Sequence, residues 1–404
     1  MESVNACGEL PFLLRPGPND RFLLDRLLSP DLFCDPIQLD GLVIEARRTS
    51  VYADLRPNVP KGSTIIVDPQ VYRLQRESFL DQPSLTNLPN CPANGTLRPT
   101  DFETEALVSR FVTQVLGEQE KLGVSTYVAP AFFMESLDSP WRDVNTKLLK
   151  ETRKQAGAKM FATLCGSYSG LCAAVEPAAV VRYISEYSVE GVLVLLSPIR
   201  ALADSPTKLT NFVRLLECLR GAFGQVIACR QPAFGLGCMA LGVAGFDSGI
   251  GAAEQFDYAA LTRPQPKPHD EPLKLSKGGR PLRKMIYLPQ LLTAVPYSVA
   301  DTIFSTSGVA GSFVCGEPCC RQTVKGALIR NREHFLYTRL NEVAQMRSKP
   351  QTWRTEHLSQ LLIASRQMAE KVVNAFPDTR LPSFRHLDVW SRVLAGATAD
   401  SMVR

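Results

Sequence analysis

Between about residues 60 and 260, short apolar segments alternate with amphipathic ones, and this alternation constrains the fold most. The apolar segments are rich in Val, Ile, Leu and Phe without polar alternation, as is typical of parallel strands buried on both faces. We assign strands to six of them, at residues 64–67, 126–129, 160–164, 191–196, 226–229 and 243–246. Six or more strand–helix units in succession favour a closed sheet. The sequence therefore predicts an α/β fold, a (β/α)8 TIM barrel.

Helices separate the strands, and the clearest is predicted over 206–220. Ser205 is placed to cap its N-terminus, Pro206 occupies the first helical position, and apolar residues recur along one face. Further helices are predicted at 141–154, 177–186, 332–347 and 355–374. Residues 75–103, rich in Pro, Asn and Thr, are expected to form a long loop.

Composition excludes several classes of protein. The 404 residues are 45% hydrophobic and 21% charged, which excludes wholesale disorder and predicts a well-formed core. The longest uncharged runs, such as residues 231–246, are shorter than the roughly 18 residues that a membrane span requires. The N-terminus lacks the basic segment of a signal peptide, so we expect a soluble, cytoplasmic protein.

Eleven cysteines do not indicate a disulfide framework, because the count is odd and the chain is long. Most lie in apolar segments, where a reduced thiol behaves as a small hydrophobic group. Cys315, Cys319 and Cys320 are the exception, since their spacing suits a tetrahedral zinc site, although three clustered cysteines also occur without metal.

Two carboxylates fall at predicted strand ends, Asp68 and Asp247. Carboxyl ends of barrel strands converge on one mouth, where the active site forms. Two carboxylates there are the minimum for glycosidic chemistry, one as nucleophile and one for proton transfer. The alternative is that each aspartate only caps a turn, as is common before Pro or Ser-Gly.

Taken together, these segments resemble the tRNA-guanine transglycosylase superfamily over about residues 60–375. Asp68 occupies the place of that family's Asp-Ser-Gly-Gly-Phe-Gln motif, and Phe161-Ala-Thr-Leu-Cys-Gly is similar to its Phe-Gly-Ile-Val-Gln-Gly strand. Gly242-Val-Ala-Gly-Phe-Asp-Ser resembles the segment that carries the nucleophilic Asp, and Thr355-Glu-His matches the Thr-x-His zinc signature.

The departures from the family favour one branch of it. The base-reading Asp of the second strand is absent, and Cys165 replaces the base-reading Gln of the third. The chain therefore looks most like the DpdA-type DNA-guanine transglycosylases, which exchange guanine in DNA for a 7-deazaguanine such as 7-cyano-7-deazaguanine (preQ0). Two alternatives stay open: a tRNA-guanine transglycosylase, and a non-catalytic zinc-containing nucleic-acid-binding barrel.

The resemblance assigns roles to residues. It implies Asp247 as nucleophile at C1′ and Asp68 as general acid/base, and it places Cys165 and Gly166 on the strand that binds the base. Tyr72 and Phe132 lie near predicted strand ends and could sandwich the flat base, although aromatic residues at such positions are more often core.

For the metal, the resemblance implies structural Zn2+ on Cys315, Cys319, Cys320 and His357. Glu317 and His334 compete for a ligand position. We expect one catalytic domain over 1–404, with a small zinc-binding subdomain near the C-terminus inserted at 311–360.

A basic segment after the last predicted strand suggests a nucleic-acid contact. A charge run is often only a solvated surface, but this one follows the predicted nucleophile and could bind backbone phosphates. Its candidate residues are Arg263, Lys267, Lys274, Lys277, Arg280, Arg283 and Lys284. Family resemblance adds the expected partners: DNA, with tRNA as the alternative, a 7-deazaguanine base, and an ATP-hydrolysing partner protein of the modification system.

Overall fold

Eight parallel strands, each joined to the next by a helical or irregular crossover, form a nearly closed barrel in the computed structural model. The structure describes residues 11–29, 37–77, 83–86, 88–93, 95–157, 159–251, 255–261, 284–320, 323, 325–377 and 381–403. The strands are β1 (Phe12–Arg15), β2 (Gly41–Glu45), β3 (Thr64–Asp68), β4 (Tyr127–Val128), β5 (Met160–Ser167), β6 (Gly191–Ser197), β7 (Gln225–Ala228) and β8 (Gly245–Gly249).

Hydrogen bonds join the strands in the order β3-β2-β1-β8-β7-β6-β5-β4, so the sheet runs around the barrel from β3 back to β4. This confirms the predicted (β/α)8 TIM barrel. The six predicted strands correspond to β3–β8. The sequence prediction missed β1 and β2, so Asp68 ends the third strand of the barrel and not the first.

The helices, numbered here along the chain, are α1 (Arg21–Leu28), α2 (Thr49–Tyr52), α3 (Pro83–Thr86), α4 (Glu105–Glu120), α5 (Trp141–Ala156), α6 (Pro177–Ser185), α7 (Pro206–Phe223), α8 (Gly235–Ala240), α9 (Tyr258–Leu261), α10 (Tyr297–Ser305), α11 (Gly326–Ile329), α12 (Asn331–Arg347), α13 (Gln351–Ala375) and α14 (His386–Val403). The predicted cap of α7 is confirmed, because the Ser205 side chain accepts a hydrogen bond from the Lys208 backbone. The expected long loop at 75–103 contains the short helix α3.

The barrel separates two apolar layers, as β6 illustrates. Val192, Val194 and Leu196 pack against the outer helices, whereas Leu193 and Leu195 belong to the cluster inside the barrel. Alternate residues of a strand point to opposite faces, so a fully apolar strand supplies both layers.

After β8 the chain adds a two-stranded antiparallel sheet, β9 (Met285–Leu288) and β10 (Thr293–Pro296), and then α10–α14. Arg339 of α12 ties this region to the barrel: its guanidinium donates to the Pro232 carbonyl at 2.8 Å and lies 5.0 Å from the Tyr287 ring centroid. The Trp390 indole of α14 donates to the Ala201 carbonyl after β6 at 2.9 Å. The C-terminal region is thereby packed against the barrel.

Candidate active site and metal centre

Charged residues cluster at the carboxyl ends of neighbouring strands. Arg15, Glu45 and Asp68 are the last residues of β1, β2 and β3, and Asp247 is the third residue of β8. The parallel register pairs Glu45 directly with Asp68. Because these strand ends form one rim, the four side chains meet at the mouth where TIM barrels carry their active sites.

The Arg15 guanidinium contacts both aspartates. Its Nη1 lies 2.7 Å from Asp68 Oδ2, and its Nη2 lies 2.7 Å from Asp247 Oδ2, with Nε 3.2 Å from Asp247 Oδ1. The two carboxylates are therefore separated by no more than one guanidinium and its hydrogen bonds. The strand ends bring Asp68 and Asp247 close together, as expected, but the two side chains are buried in ion pairs with Arg15 and do not face each other across an open cavity.

Backbone groups complete the coordination of the two acids. Asp247 Oδ1 accepts from the Arg230 amide at 2.8 Å, and Asp68 Oδ1 accepts from the Gln70 amide at 3.1 Å. Gln70 and Arg230 both have positive φ, 53° and 56°, a conformation that costs energy in residues other than glycine. Two strained loops thus aim N–H groups at the candidate catalytic carboxylates.

The acid pair is closed to solvent in this conformation. Arg15, Asp68 and Asp247 are 2%, 3% and 0% exposed. Burial opposes the charge on Arg15, but Asp247 and then Asp68 raise its pKa well above the usual value, so the guanidinium stays charged. In this conformation Arg15 therefore occupies the side chains of both aspartates.

A second ionic cluster lies on the adjoining part of the rim, around Glu45. Glu45 Oε1 accepts from Arg230 Nη2 at 2.7 Å, and Oε2 lies 3.0 Å from Arg47 and 3.1 Å from Arg48. Burial alone would raise the pKa of Glu45, but Arg230 and then Arg47 and Arg48 hold it far below the usual value. Glu45 is therefore ionised, and Arg230 connects it to Asp247.

Sequence reasoning missed Arg15 and Glu45, since both end strands that it did not assign. The signal available was Phe12-Leu-Leu-Arg and Gly41-Leu-Val-Ile-Glu, two apolar runs each closed by a charge.

Of the predicted base-binding residues, Tyr72 lies next to the acid pair and Phe132 does not. Tyr72 is 1% exposed, its ring packs edge-on against that of Phe256 with 5.3 Å between centroids, and its hydroxyl has no hydrogen-bond partner among the residues that the structure describes. Phe132 is a correction to the sequence prediction: its ring stacks 4.3 Å from Trp141 in the apolar layer between α4 and α5. It belongs to the apolar core outside the barrel.

Cys165 and Gly166 lie on β5. The Cys165 side chain is fully buried inside the barrel, and burial, then Asp68, raises the pKa of its thiol. At Gly166 a Cβ would approach Leu171 Cδ1 to 2.3 Å and the Met134 carbonyl oxygen to 2.4 Å. Gly166 is thus required for packing, whatever its relation to a substrate.

Four potential metal ligands converge beside the β9–β10 sheet: Cys315, Cys319, Cys320 and His334. Their ligand atoms all lie within 4.8 Å of one another, and every side chain is buried. Cys319 Sγ lies 3.5 Å from Cys320 Sγ, which lies 3.4 Å from His334 Nδ1. Tetrahedral zinc with Zn–S bonds of about 2.3 Å separates its ligand atoms by about 3.8 Å, so the donor set and spacing fit zinc.

A backbone carbonyl on the side away from the thiols orients the histidine of this cluster. His334 Nε2 lies 2.9 Å from the Tyr287 carbonyl oxygen of β9, to which it can donate, and this leaves Nδ1 facing the thiols. Cys319 and then Cys320 lower the pKa of Cys315, so thiolate character is already favoured there.

The predicted ligand His357 is wrong. It belongs to α13 and lies outside the cluster, whereas His334, the one histidine in the sequence of α12, occupies the fourth position. Glu317 is also excluded from the cluster and instead accepts a hydrogen bond from Asn341 at 2.7 Å. The two other candidates for the open ligand position, Cys319 and His334, both belong to the cluster.

The proposed nucleic-acid segment lies almost wholly outside the described residues: Arg263, Lys267, Lys274, Lys277, Arg280 and Arg283 fall there. Lys284 is described and exposed, immediately before β9. Within the described part of the chain, no helix combines the length and the apolar character needed to cross a membrane.

Comparison with known proteins adds no assignment. No protein-family model matches this chain, and no curated protein matches its sequence.

Proposed function

We propose that this protein is a nucleic-acid guanine transglycosylase, a glycosyltransferase that exchanges guanine in DNA for a 7-deazaguanine such as preQ0. One observation carries the proposal: Asp68 and Asp247 meet at one guanidinium in the mouth of a TIM barrel. The motif resemblance and a cysteine–histidine cluster suited to structural zinc support it.

The chemistry follows from the two carboxylates. An extruded guanosine enters the mouth, since C1′ is inaccessible within the stack. Asp247 attacks C1′, the glycosidic bond breaks, and guanine leaves with a proton supplied by Asp68. The incoming deazaguanine then gives a proton to Asp68 and attacks the same carbon, releasing Asp247. Two inversions give net retention, as in retaining glycosidases.

Arg15 acts before the chemistry. In the closed arrangement it occupies both carboxylates, so substrate entry requires its guanidinium to leave Asp247. Zinc takes no part in these steps; Cys315, Cys319, Cys320 and His334 would hold it, and the bound ion would stabilise the fold around β9 and α12.

The test is trapping of a covalent adduct. Full-length protein is incubated with guanosine-containing DNA or tRNA and labelled guanine, then resolved on a denaturing gel. We expect an adduct and label exchange with DNA. Asp247→Asn removes both, whereas Asp68→Asn slows exchange about 10²- to 10⁴-fold, the usual contribution of acid–base catalysis. An adduct that survives Asp247→Asn contradicts the proposal, and exchange on tRNA alone reassigns the substrate.

A non-catalytic nucleic-acid-binding barrel is the second candidate, favoured by the complete burial of Asp247 in its ion pair with Arg15. On this alternative Asp247 only balances Arg15. The wild type then binds DNA without exchange, and Asp247→Asn lowers the free energy of unfolding by about 3–5 kcal/mol, the cost of leaving one buried charge unpaired.

A further inference from the structure

A cavity of about 350 Å³ lies within the C-terminal region that follows the barrel. Its walls come from the turn between β9 and β10, the segment 314–317 that contains the first cysteine of the metal cluster, and the sides of α12 and α13. The described lining residues all fall between 289 and 368. Ligand sites in proteins usually have volumes of about 300–1,000 Å³ and mostly apolar walls. The cavity is therefore large enough for a small molecule.

Part of the lining is apolar. It consists of Leu292, Val314, Leu361, Ala364 and Met368. A cavity of about 150 Å³ with walls of this kind accommodates a benzene-sized molecule, so the present one has room for a ring with a short chain attached. The apolar residues thus provide the contact surface for the body of a ligand.

The polar part of the lining offers acceptors and no cation. Glu317 and Glu342 belong to it, and the described lining residues include no Lys, Arg or His. The side-chain amide of Gln345 donates to Asn341 at 3.3 Å, and that of Asn341 donates to Glu317 at 2.7 Å. Both amides therefore donate toward Glu317, and no described Lys or Arg pairs with its side chain.

Two buried oxygens at the cavity make no hydrogen bond with any described residue. Thr338 is 6% exposed, and its hydroxyl has no partner. Glu342 Oε1 accepts from the Tyr287 hydroxyl at 2.9 Å, but Oε2 makes no hydrogen bond, although it lies 3.2 Å from Arg339 Nη1. Burial raises the pKa of Glu342, and Arg339 and then Tyr287 lower it only in part. A donor supplied by a ligand would satisfy both oxygens.

We propose that this cavity binds a small organic cation, a primary ammonium group carried on an aryl or branched alkyl body. An ammonium group has three N–H donors and no acceptor, and Glu317, Thr338 and Glu342 each supply an acceptor. The apolar body packs against Leu361 and Met368. An anionic ligand would find no cation among the described lining residues. The site is independent of the proposed function.

The test is a calorimetric titration of the full-length protein at about pH 7 with 2-phenylethylamine hydrochloride and, in parallel, with 2-phenylethanol. The two probes share the phenylethyl body, and only the amine is charged. We expect the amine to bind about tenfold more tightly or better, because hydrogen bonds between charged groups contribute that much. Equal or weaker binding of the amine, or binding of neither probe, rejects the proposal.

Two variants locate the binding. Glu317→Gln removes one carboxylate and keeps an oxygen for the Asn341 amide, so it should weaken amine binding about tenfold and leave the alcohol unchanged. Ala364→Leu fills part of the cavity from an exposed position on α13, where leucine is a good helix former and the fold should tolerate it. It should weaken the binding of both probes about tenfold or more.

The matched control is Glu370→Gln, which removes the same charge from an exposed position on α13 that does not line the cavity. It should bind both probes as the wild type does. Amine binding that is insensitive to Glu317→Gln and Ala364→Leu overturns the site.

Thermal unfolding gives a second readout. A ligand that binds only the folded chain raises its Tm, so 2-phenylethylamine should raise the Tm of the wild type and of Glu370→Gln but not that of Ala364→Leu. An equal rise in Ala364→Leu contradicts binding in this cavity.

Discussion

At the residue scale, a few side chains hold the candidate site together through buried ion pairs. Arg15 links two carboxylates from distant parts of the chain, and Arg230 joins Glu45 through its guanidinium to Asp247 through its amide. Buried pairs of this kind contribute little net stability but are expensive to break on one side. They specify which residues meet.

His386 provides a test at this scale, because burial lowers its pKa to about 4. The residue is 1% exposed, lies 3.2 Å from the Leu291 carbonyl oxygen and packs against Trp390. An unfolded histidine titrates near 6.5, so the unfolded chain binds the proton first as pH falls. The contribution of neutral His386 to the free energy of unfolding is fully present above about pH 6.5 and is lost as the pH falls from about 6.5 to 4.

The loss should amount to about 3 kcal/mol in the free energy of unfolding, from a shift of about 2.5 pH units. Urea unfolding of the wild type and His386→Gln at several pH values measures it. The difference between the two should shrink as the pH falls from 6.5 to 4. A constant difference would contradict the buried neutral state.

At the scale of elements, strand packing sets the barrel. Gly41 begins β2 between β1 and β3, opposite Leu13 and Thr64. A Cβ there would lie 2.1 Å from the Thr64 carbonyl oxygen and 2.9 Å from Leu13 Cδ2. Only glycine permits this approach, and the register that it allows pairs Glu45 with Asp68.

Two glycine substitutions should therefore act in opposite directions. Gly41→Ala should lower the free energy of unfolding by about 1–3 kcal/mol or more, because the backbone oxygen cannot move out of the way without breaking the ladder. Gly221→Ala, exposed on α7 with open space around it, should raise it by about 0.5–1 kcal/mol through helix propensity. Urea unfolding measures both, and a neutral Gly41→Ala would contradict the described register.

At the scale of the whole molecule, the cysteine–histidine cluster organises the region that follows the barrel. Its ligands come from the segment after α10 and from α12, and His334 is fixed by β9. Arg339 on α12 then contacts the barrel through Pro232. Metal binding should therefore stabilise the C-terminal region as well as its contact with the barrel.

Loss of a ligand tests this dependence. Cys320→Ser should lower the zinc content from about one ion per chain and reduce the Tm, since structural zinc contributes directly to folding. Cys91→Ser, a half-buried thiol outside the cluster, serves as the matched control and should retain both. His357→Ala should likewise keep its zinc. Elemental analysis and thermal unfolding give the two readouts, and zinc retained by Cys320→Ser would exclude the assignment.

The barrel, six of its strands and the two strand-end aspartates could be predicted from local sequence. A continuous apolar segment indicates a buried strand, and the residue that follows it indicates which edge of the sheet a side chain occupies. The cysteines of the cluster could also be predicted from local sequence, because they are close together in the chain. The choice of His334 over His357 could not be predicted from local sequence. Both residues lie in helices, and only packing against β9 brings His334 to the thiols. Arg15 and Glu45 likewise join the candidate site only because the closed sheet pairs β1 with β8. Contacts between residues more than 200 positions apart depend on the spatial order of the strands. A local sequence pattern does not contain that order.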